Sequence, residues 1–341
     1  MLPEAIAETI NLNLEILSGC RYSCNGCTIE KNFAPLSLSE TEKADLLNLV
    51  RDSKANGVRM LELKLGPTDI ISSDNGFGTL TDPFFKEILD NYQVLSIPLA
   101  LLHDGGLAEL ADILNVVAKG KRLSVAFPML FKNSHNEKYL DLLRKRLQYF
   151  KGMLTEVDFD RIYVTYNMID ENMSSLNRSD YALAQDLEYG IEKVVEIPFV
   201  HSRKNLDNLL VVSQFQSDLQ KFIDVLHSFK NTKYFHKPQP AVLDGFEFTY
   251  RDGRLYSSTV IFENFPIFTP EFEVPLPWTS ASLFEFRAER YYENLIDFSE
   301  HPVCGNCCFL DNCARGDIHK LMTLFKQETC LIHNRNRYDF Q

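Results

Sequence analysis

The sequence predicts an α/β fold, a partial (β/α)6 TIM-like barrel followed by a β-hairpin and a cysteine-rich extension. Three observations carry this expectation. Strand-like and helix-like apolar periodicities alternate through roughly the first 235 residues, the character of the chain then changes, and the cysteines occur only near the two ends. Parallel strands need crossover connections, usually helices, so interleaved strands and helices imply a parallel sheet.

Taken in order, the alternation of Leu12, Leu14 and Ile16 predicts a first strand that delivers the chain into a loop at Cys20. Ser39-Glu-Thr-Glu42 is a capping box, which satisfies the free amides of a helix start. Leu46, Leu47 and Val50 supply that helix's buried face, and Gly57 ends it. Leu61, Leu63 and Leu65 predict the second strand. Further strands are expected near 95–102, 122–128, 161–167 and 193–199, with helices near 82–92, 106–118, 135–152, 178–190 and 205–229. Barrels of this kind place their chemistry at the C-terminal ends of the strands, which is where the Cys20 loop falls. Residues 1–235 therefore read as the barrel and 236–341 as a second unit, opened by the linker His236-Lys-Pro-Gln-Pro240. Two alternating runs around Asp252-Gly253 predict a hairpin, and a helix is expected near 280–297.

Composition narrows the function. A chain that is 45% hydrophobic and 24% charged can bury a large core. It contains no apolar run of the roughly 18 residues that a transmembrane helix needs. Its acidic start reads as lacking a secretory signal, so a cytoplasmic protein is expected, or one of the host cytoplasm if phage-encoded. A net charge of −12 argues against gripping nucleic acid with the whole surface. Eight cysteines without an export signal point to metal or redox chemistry rather than disulfides.

The first cluster reads Cys20-Arg-Tyr-Ser-Cys24-Asn-Gly-Cys27. Three thiolates are one short of a closed tetrahedral zinc site or a fully protein-ligated four-iron cluster, and they leave a position for a substrate or cofactor. A zinc knuckle completed by a distant histidine is the alternative reading. The C-x3-C-x2-C spacing resembles the signature of the radical S-adenosylmethionine (radical SAM) enzymes. That resemblance implies that Cys20, Cys24 and Cys27 hold a [4Fe-4S] cluster whose open iron binds S-adenosyl-L-methionine. Reductive cleavage of the cofactor would then yield a 5′-deoxyadenosyl radical that abstracts hydrogen from carbon. The residue before the third cysteine, usually aromatic in the family, is Gly26 here. The family's partial barrel agrees with the one read from periodicity.

In the tail, Cys304-x2-Cys307-x5-Cys313 and Cys330 offer four thiolates, enough to close a zinc or iron–sulfur site. The spacing resembles the SPASM/Twitch extensions of radical SAM enzymes that modify peptides or proteins, which implies an auxiliary [4Fe-4S] cluster on these four. A second auxiliary cluster is not expected, because Ser257, Ser258 and Asp317 stand where its thiolates would be. Cys308 is left over, as a small buried hydrophobe or a neighbouring ligand.

The family's Gly-Gly-Glu-Pro segment after the second strand, which contacts the cofactor's amino group, has Leu65-Gly66-Pro67-Thr68-Asp69 as its counterpart. The resemblance thus implies cofactor contacts from Gly66 and Asp69, although an ordinary turn with a capping Asp69 fits the same residues. By strand position it also implies contacts from Ser124, Thr165 and Asn167. His103-Asp104 and His201 are expected at the catalytic rim. Arg144-Lys145-Arg146 and Lys151 read as a solvated helix face, and Gly76-Phe-Gly78 lacks the third glycine of a dinucleotide fingerprint.

The expected function is hydrogen abstraction from an amino-acid-like group in a peptide or protein, fed by a small electron donor such as flavodoxin or ferredoxin. A weaker resemblance, carried by Leu-Gly-Pro-Thr-Asp, is to phage radical SAM isomerases acting on an amino-acid-modified (glycyl) thymidine, a modified-nucleotide substrate. A zinc-stabilised binding module or an iron–sulfur sensor is the reading from another class.

Overall fold

The computed structural model describes residues 9–20, 38–99, 104–128, 137–165, 192–196, 246–257 and 273–286. The elements in chain order are β1 (Thr9–Glu15), α1 (Glu40–Ala55), β2 (Arg59–Gly66), α2 (Gly76–Thr81), α3 (Pro83–Leu89), β3 (Val94–Pro98), α4 (Asp104–Val117), β4 (Arg122–Pro128), α5 (Glu137–Met153), β5 (Asp158–Thr165), β6 (Glu192–Glu196), β7 (Phe246–Arg251) and β8 (Arg254–Tyr256). They form one sheet in the order β6-β5-β4-β3-β2-β1-β7-β8. Every neighbouring pair is parallel except β7 and β8. This is the partial barrel that the alternation of strands and helices predicts.

Period-2 side-chain alternation gives the sheet two unlike faces. Leu12, Leu14, Leu63, Leu65, Leu95, Ile97, Leu123 and Val125 are buried in one core with Leu46 and Leu49 of α1, Phe85 and Ile88 of α3, Leu110 and Leu114 of α4, and Phe150 of α5. The opposite face is polar. Thr249, Asn13, Lys64, Ser96 and Ser124 lie in one register row across five strands. Glu15 pairs in register with Gly66 one layer nearer the C-terminal strand ends, and the Arg251 guanidinium lies 3.3 Å from the Glu15 carboxylate. Asn13, Glu15, Ser96, Ser124 and Thr249 are buried on this face, so the sheet is polar on the side away from the apolar core.

The capping box on α1 forms as read. The Glu42 carboxylate accepts from the Ser39 amide at 2.7 Å, and the Ser39 hydroxyl accepts from the Glu42 amide. The helix ends in a Schellman pairing, with Gly57 N donating to Lys54 O and Val58 N to Ser53 O. The helix expected over 82–92 is α3, and a separate short helix, α2, which the sequence reading did not include, precedes it. Pro83 disfavours helical geometry at Asp82, whose carboxylate caps α3 by accepting from Phe84 N at 2.9 Å. The third strand stops at Pro98, short of the expected 102. The helices expected at 178–190 and 205–229 lie outside the described residues, and helix 280–297 is described over 280–286.

The predicted hairpin forms with Asp252 at φ 50° and Gly253 at φ 78°, the two-residue turn whose twist suits paired strands. It is continuous with the barrel sheet, because β7 runs parallel to β1. Its anchor is a short network. The Tyr250 hydroxyl donates to Glu42 at 2.8 Å, and the Tyr250 ring meets buried Trp278 edge-on at 6.0 Å. Hydrogen bonds from the Ser39 side chain first, then from its backbone and Tyr250, hold Glu42 below the usual carboxylate range, against burial. A depressed carboxylate stabilises the fold above its unfolded pKa, about 4.3, and loses that contribution as pH falls through its folded value. Wild-type protein is therefore expected to exceed Glu42→Gln in urea resistance at pH 7, with the gap closing below about pH 4.3. An equal gap at both pH values would contradict the network.

Among the described residues no helix is long and apolar enough to cross a membrane.

Candidate functional site

The C-terminal ends of β1 and β2 are joined by hydrogen bonds rather than by packing alone. Leu17 N donates to Gly66 O at 2.8 Å, which continues the β1–β2 pairing past the end of β1. The loop 67–75 then folds back over residues 16–20. Asn75 spans the chain there, its Oδ1 accepting from Ser18 N at 2.9 Å and its Nδ2 donating to Ile16 O at 2.8 Å. Asp74 N donates to Ser18 O at 2.8 Å. Gly19 has φ 66°, and a Cβ there would collide with the Asp74 carboxylate, so both conformation and space require glycine. The chain is thus held on both sides until it reaches Cys20.

Cys20 is half-buried, and its Sγ lies 3.3 Å from Ser72 Oγ. Ser72 is held in turn: its amide donates to Asp69 Oδ1 at 2.8 Å, and Ile71 N donates to the same oxygen at 3.0 Å. Asp69 therefore has the turn-capping role that its position after Gly-Pro allows. Ile70 N donates to Pro98 O, which ties the loop to the end of β3.

On these loops and on the polar face, several hydroxyls are buried without hydrogen-bond partners among the described residues. They are Ser18 Oγ, Thr68 Oγ1 and, on β4, Ser124 Oγ. Leaving a buried hydroxyl unsatisfied costs about 1–3 kcal/mol, so such groups call for an explanation such as a ligand. Gly66 is buried, yet the nearest atom to a Cβ built on it is Asn13 Oδ1 at 3.8 Å. Packing alone therefore does not demand glycine there, and the backbone offers a cradle on the polar face.

Of the residues singled out from sequence, the structure brings Cys20, Gly66 and Asp69 into one loop system and sets Ser124 on the polar face of β4. Thr165 ends β5. Cys24, Cys27, Asn167, His103, His201, Cys304, Cys307, Cys313 and Cys330 lie outside the described residues. Sequence reasoning missed Ser72, Asp74 and Asn75. Their signal was the polar run Ser72-Ser73-Asp74-Asn75, whose short side chains favour bonds to nearby backbone.

The fold is shared with a solved structure, polyhistidine-tagged anSMEcpe with bound AdoMet, at a TM-score of 0.52 and 15% identity over 90% of this chain and 88% of that one. At that identity the likeness is one of fold. No protein-family model matches the chain, and no curated protein sequence does.

Proposed function

We propose that the chain is a radical S-adenosylmethionine enzyme. The observation that carries this reading is the placement of Cys20. It is the first cysteine of C-x3-C-x2-C, it stands just beyond the C-terminal end of β1, and the loop after β2 clamps the chain that bears it. The shared fold with a protein solved with AdoMet supports the reading.

The described residues fit these groups. Cys20 is accessible enough to bind metal, Gly66 leaves backbone open on the polar face, and the Thr68 and Ser124 hydroxyls lack other partners among the described residues. Cys20, Cys24 and Cys27 would hold a [4Fe-4S] cluster, with Gly66, Thr68 and Ser124 toward S-adenosylmethionine. Bound together, these groups supply one-electron cleavage of the sulfonium and hydrogen-atom abstraction from carbon. Asp69 acts through the loop, fixing the amides of Ile71 and Ser72. The helix-packed apolar face closes one side of the sheet, leaving the polar face to take a substrate.

Within this reading Cys304, Cys307, Cys313 and Cys330 hold an auxiliary [4Fe-4S] cluster, the substrate is an amino-acid-like group in a peptide or protein, and a small flavodoxin- or ferredoxin-like protein donates the electron. The test is iron, sulfide and zinc content after anaerobic reconstitution. About eight irons with matching sulfide is the expected result. About four irons would keep the enzyme and remove the auxiliary cluster. Zinc without sulfide would overturn the proposal and favour a zinc-stabilised binding module.

A further inference from the structure

We propose that Ser72 is a positioning residue for the iron–sulfur cluster, donating its hydroxyl hydrogen to the Cys20 sulfur and favouring the reduced cluster. The inference rests on the reading of Cys20, Cys24 and Cys27 as cluster ligands and assigns a role to a residue outside that motif. Ser72 Oγ lies 3.3 Å from Cys20 Sγ, within hydrogen-bond reach of a sulfur acceptor. In a thiol pair either atom can donate. A ligating cysteine has lost its proton, so its sulfur can only accept, and Ser72 becomes the donor.

The serine is built into this position. It is 2% exposed, its amide is held by Asp69 Oδ1, and the competing acceptor for its hydroxyl, Asp69 O, lies at 3.5 Å. With one hydrogen to give, the hydroxyl favours a charged sulfur over a neutral carbonyl at the limit of reach. The buried hydroxyls of Ser18 and Thr68, unpartnered among the described residues, flank the same loops, which marks this end of the sheet as made for a group absent from the protein's own packing. Adding an electron raises the negative charge on the cluster sulfurs and strengthens a bond donated to them, so the bond raises the reduction potential.

The experiment is a redox titration of the reconstituted full-length protein, read by the electron paramagnetic resonance signal of the reduced cluster, for wild type, Ser72→Ala and Ser72→Thr. At the wild-type midpoint, Ser72→Ala is expected to show a reduced-to-oxidised ratio about tenfold lower, equivalent to about 59 mV for a one-electron couple. Ser72→Thr, which keeps a hydroxyl, is expected to return toward wild type. An unchanged Ser72→Ala midpoint with full iron content would overturn the inference and leave the enzymatic reading intact. If Ser72→Ala holds no cluster, Ser72→Thr decides: a loaded cluster at the wild-type potential supports the inference, and an empty or shifted one overturns it. A wild-type protein without iron and sulfide would fail the enzymatic reading itself, and this inference with it.

Discussion

Cys20→Ala is expected to abolish S-adenosylmethionine cleavage and to remove about four irons per chain while leaving the fold intact. The expectation has two halves, and the structure bears on both. The three cysteines of the motif leave no ligand to spare for a four-iron cluster whose remaining iron is given to the cofactor. Removing one thiolate leaves two, and the neighbouring hydroxyl, Ser72, is a poor replacement for a soft sulfur ligand. The fold should survive because Cys20 is half-buried and lies after the segment that holds the loop. A surface-like truncation of this kind changes stability by about 0.5 kcal/mol or less. Melting temperature and circular dichroism should therefore match wild type while 5′-deoxyadenosine formation falls to background. Turnover retained by Cys20→Ala would sink the assignment of the N-terminal motif.

Much of this architecture was legible because its signals are local. The capping box at Ser39 and Glu42, the alternation of Leu12 and Leu14, and the Asp252-Gly253 turn each involve neighbours a few residues apart, and each forms as read. A short element was missed where the local signal is weak. α3 starts at the Asp82-Pro83 signal where a helix is expected, whereas the six-residue α2 before it is too short to show a period. Other features depend on residues distant in sequence. That β7 adds to β1 is written in no segment of either strand, since the pairing joins Asn13 to Thr249. The polar row across the sheet is likewise invisible until register aligns Asn13, Lys64, Ser96 and Ser124. The same division applies to the site. The cysteine spacing is a short-range pattern, whereas the partnership of Ser72 with Cys20 and of Asn75 with Ile16 and Ser18 spans two loops.

That partnership sets the second large expected effect. Asn75→Ala should destabilise the protein by about 2–6 kcal/mol and lower iron content although every cysteine remains. Asn75 stands at the start of α2 but makes no capping bond to it, so its loss is not the loss of a helix cap. Among the described residues its amide acts on the cysteine loop, supplying a carbonyl to Ser18 N and an N–H to Ile16 O. Ile16 and Ser18 are buried, so truncation leaves a backbone donor and a backbone acceptor without water to replace the lost partner. Each such orphan costs about 1–3 kcal/mol. Asn91 provides the comparison, because its side chain also donates to a backbone carbonyl, Glu87 O at 2.8 Å, but in an exposed setting. Asn91→Ala should fall within about 0.5 kcal/mol of wild type and load iron normally. If Asn75→Ala matched Asn91→Ala in denaturant midpoint and iron content, the loop after β2 would not be what holds Cys20 in place. If it lost iron while Asn91→Ala did not, the fold would be acting on the chemistry through a residue that touches neither cluster nor substrate: the strand ends supply the platform, and a side chain from the neighbouring loop fixes where the first ligand stands on it.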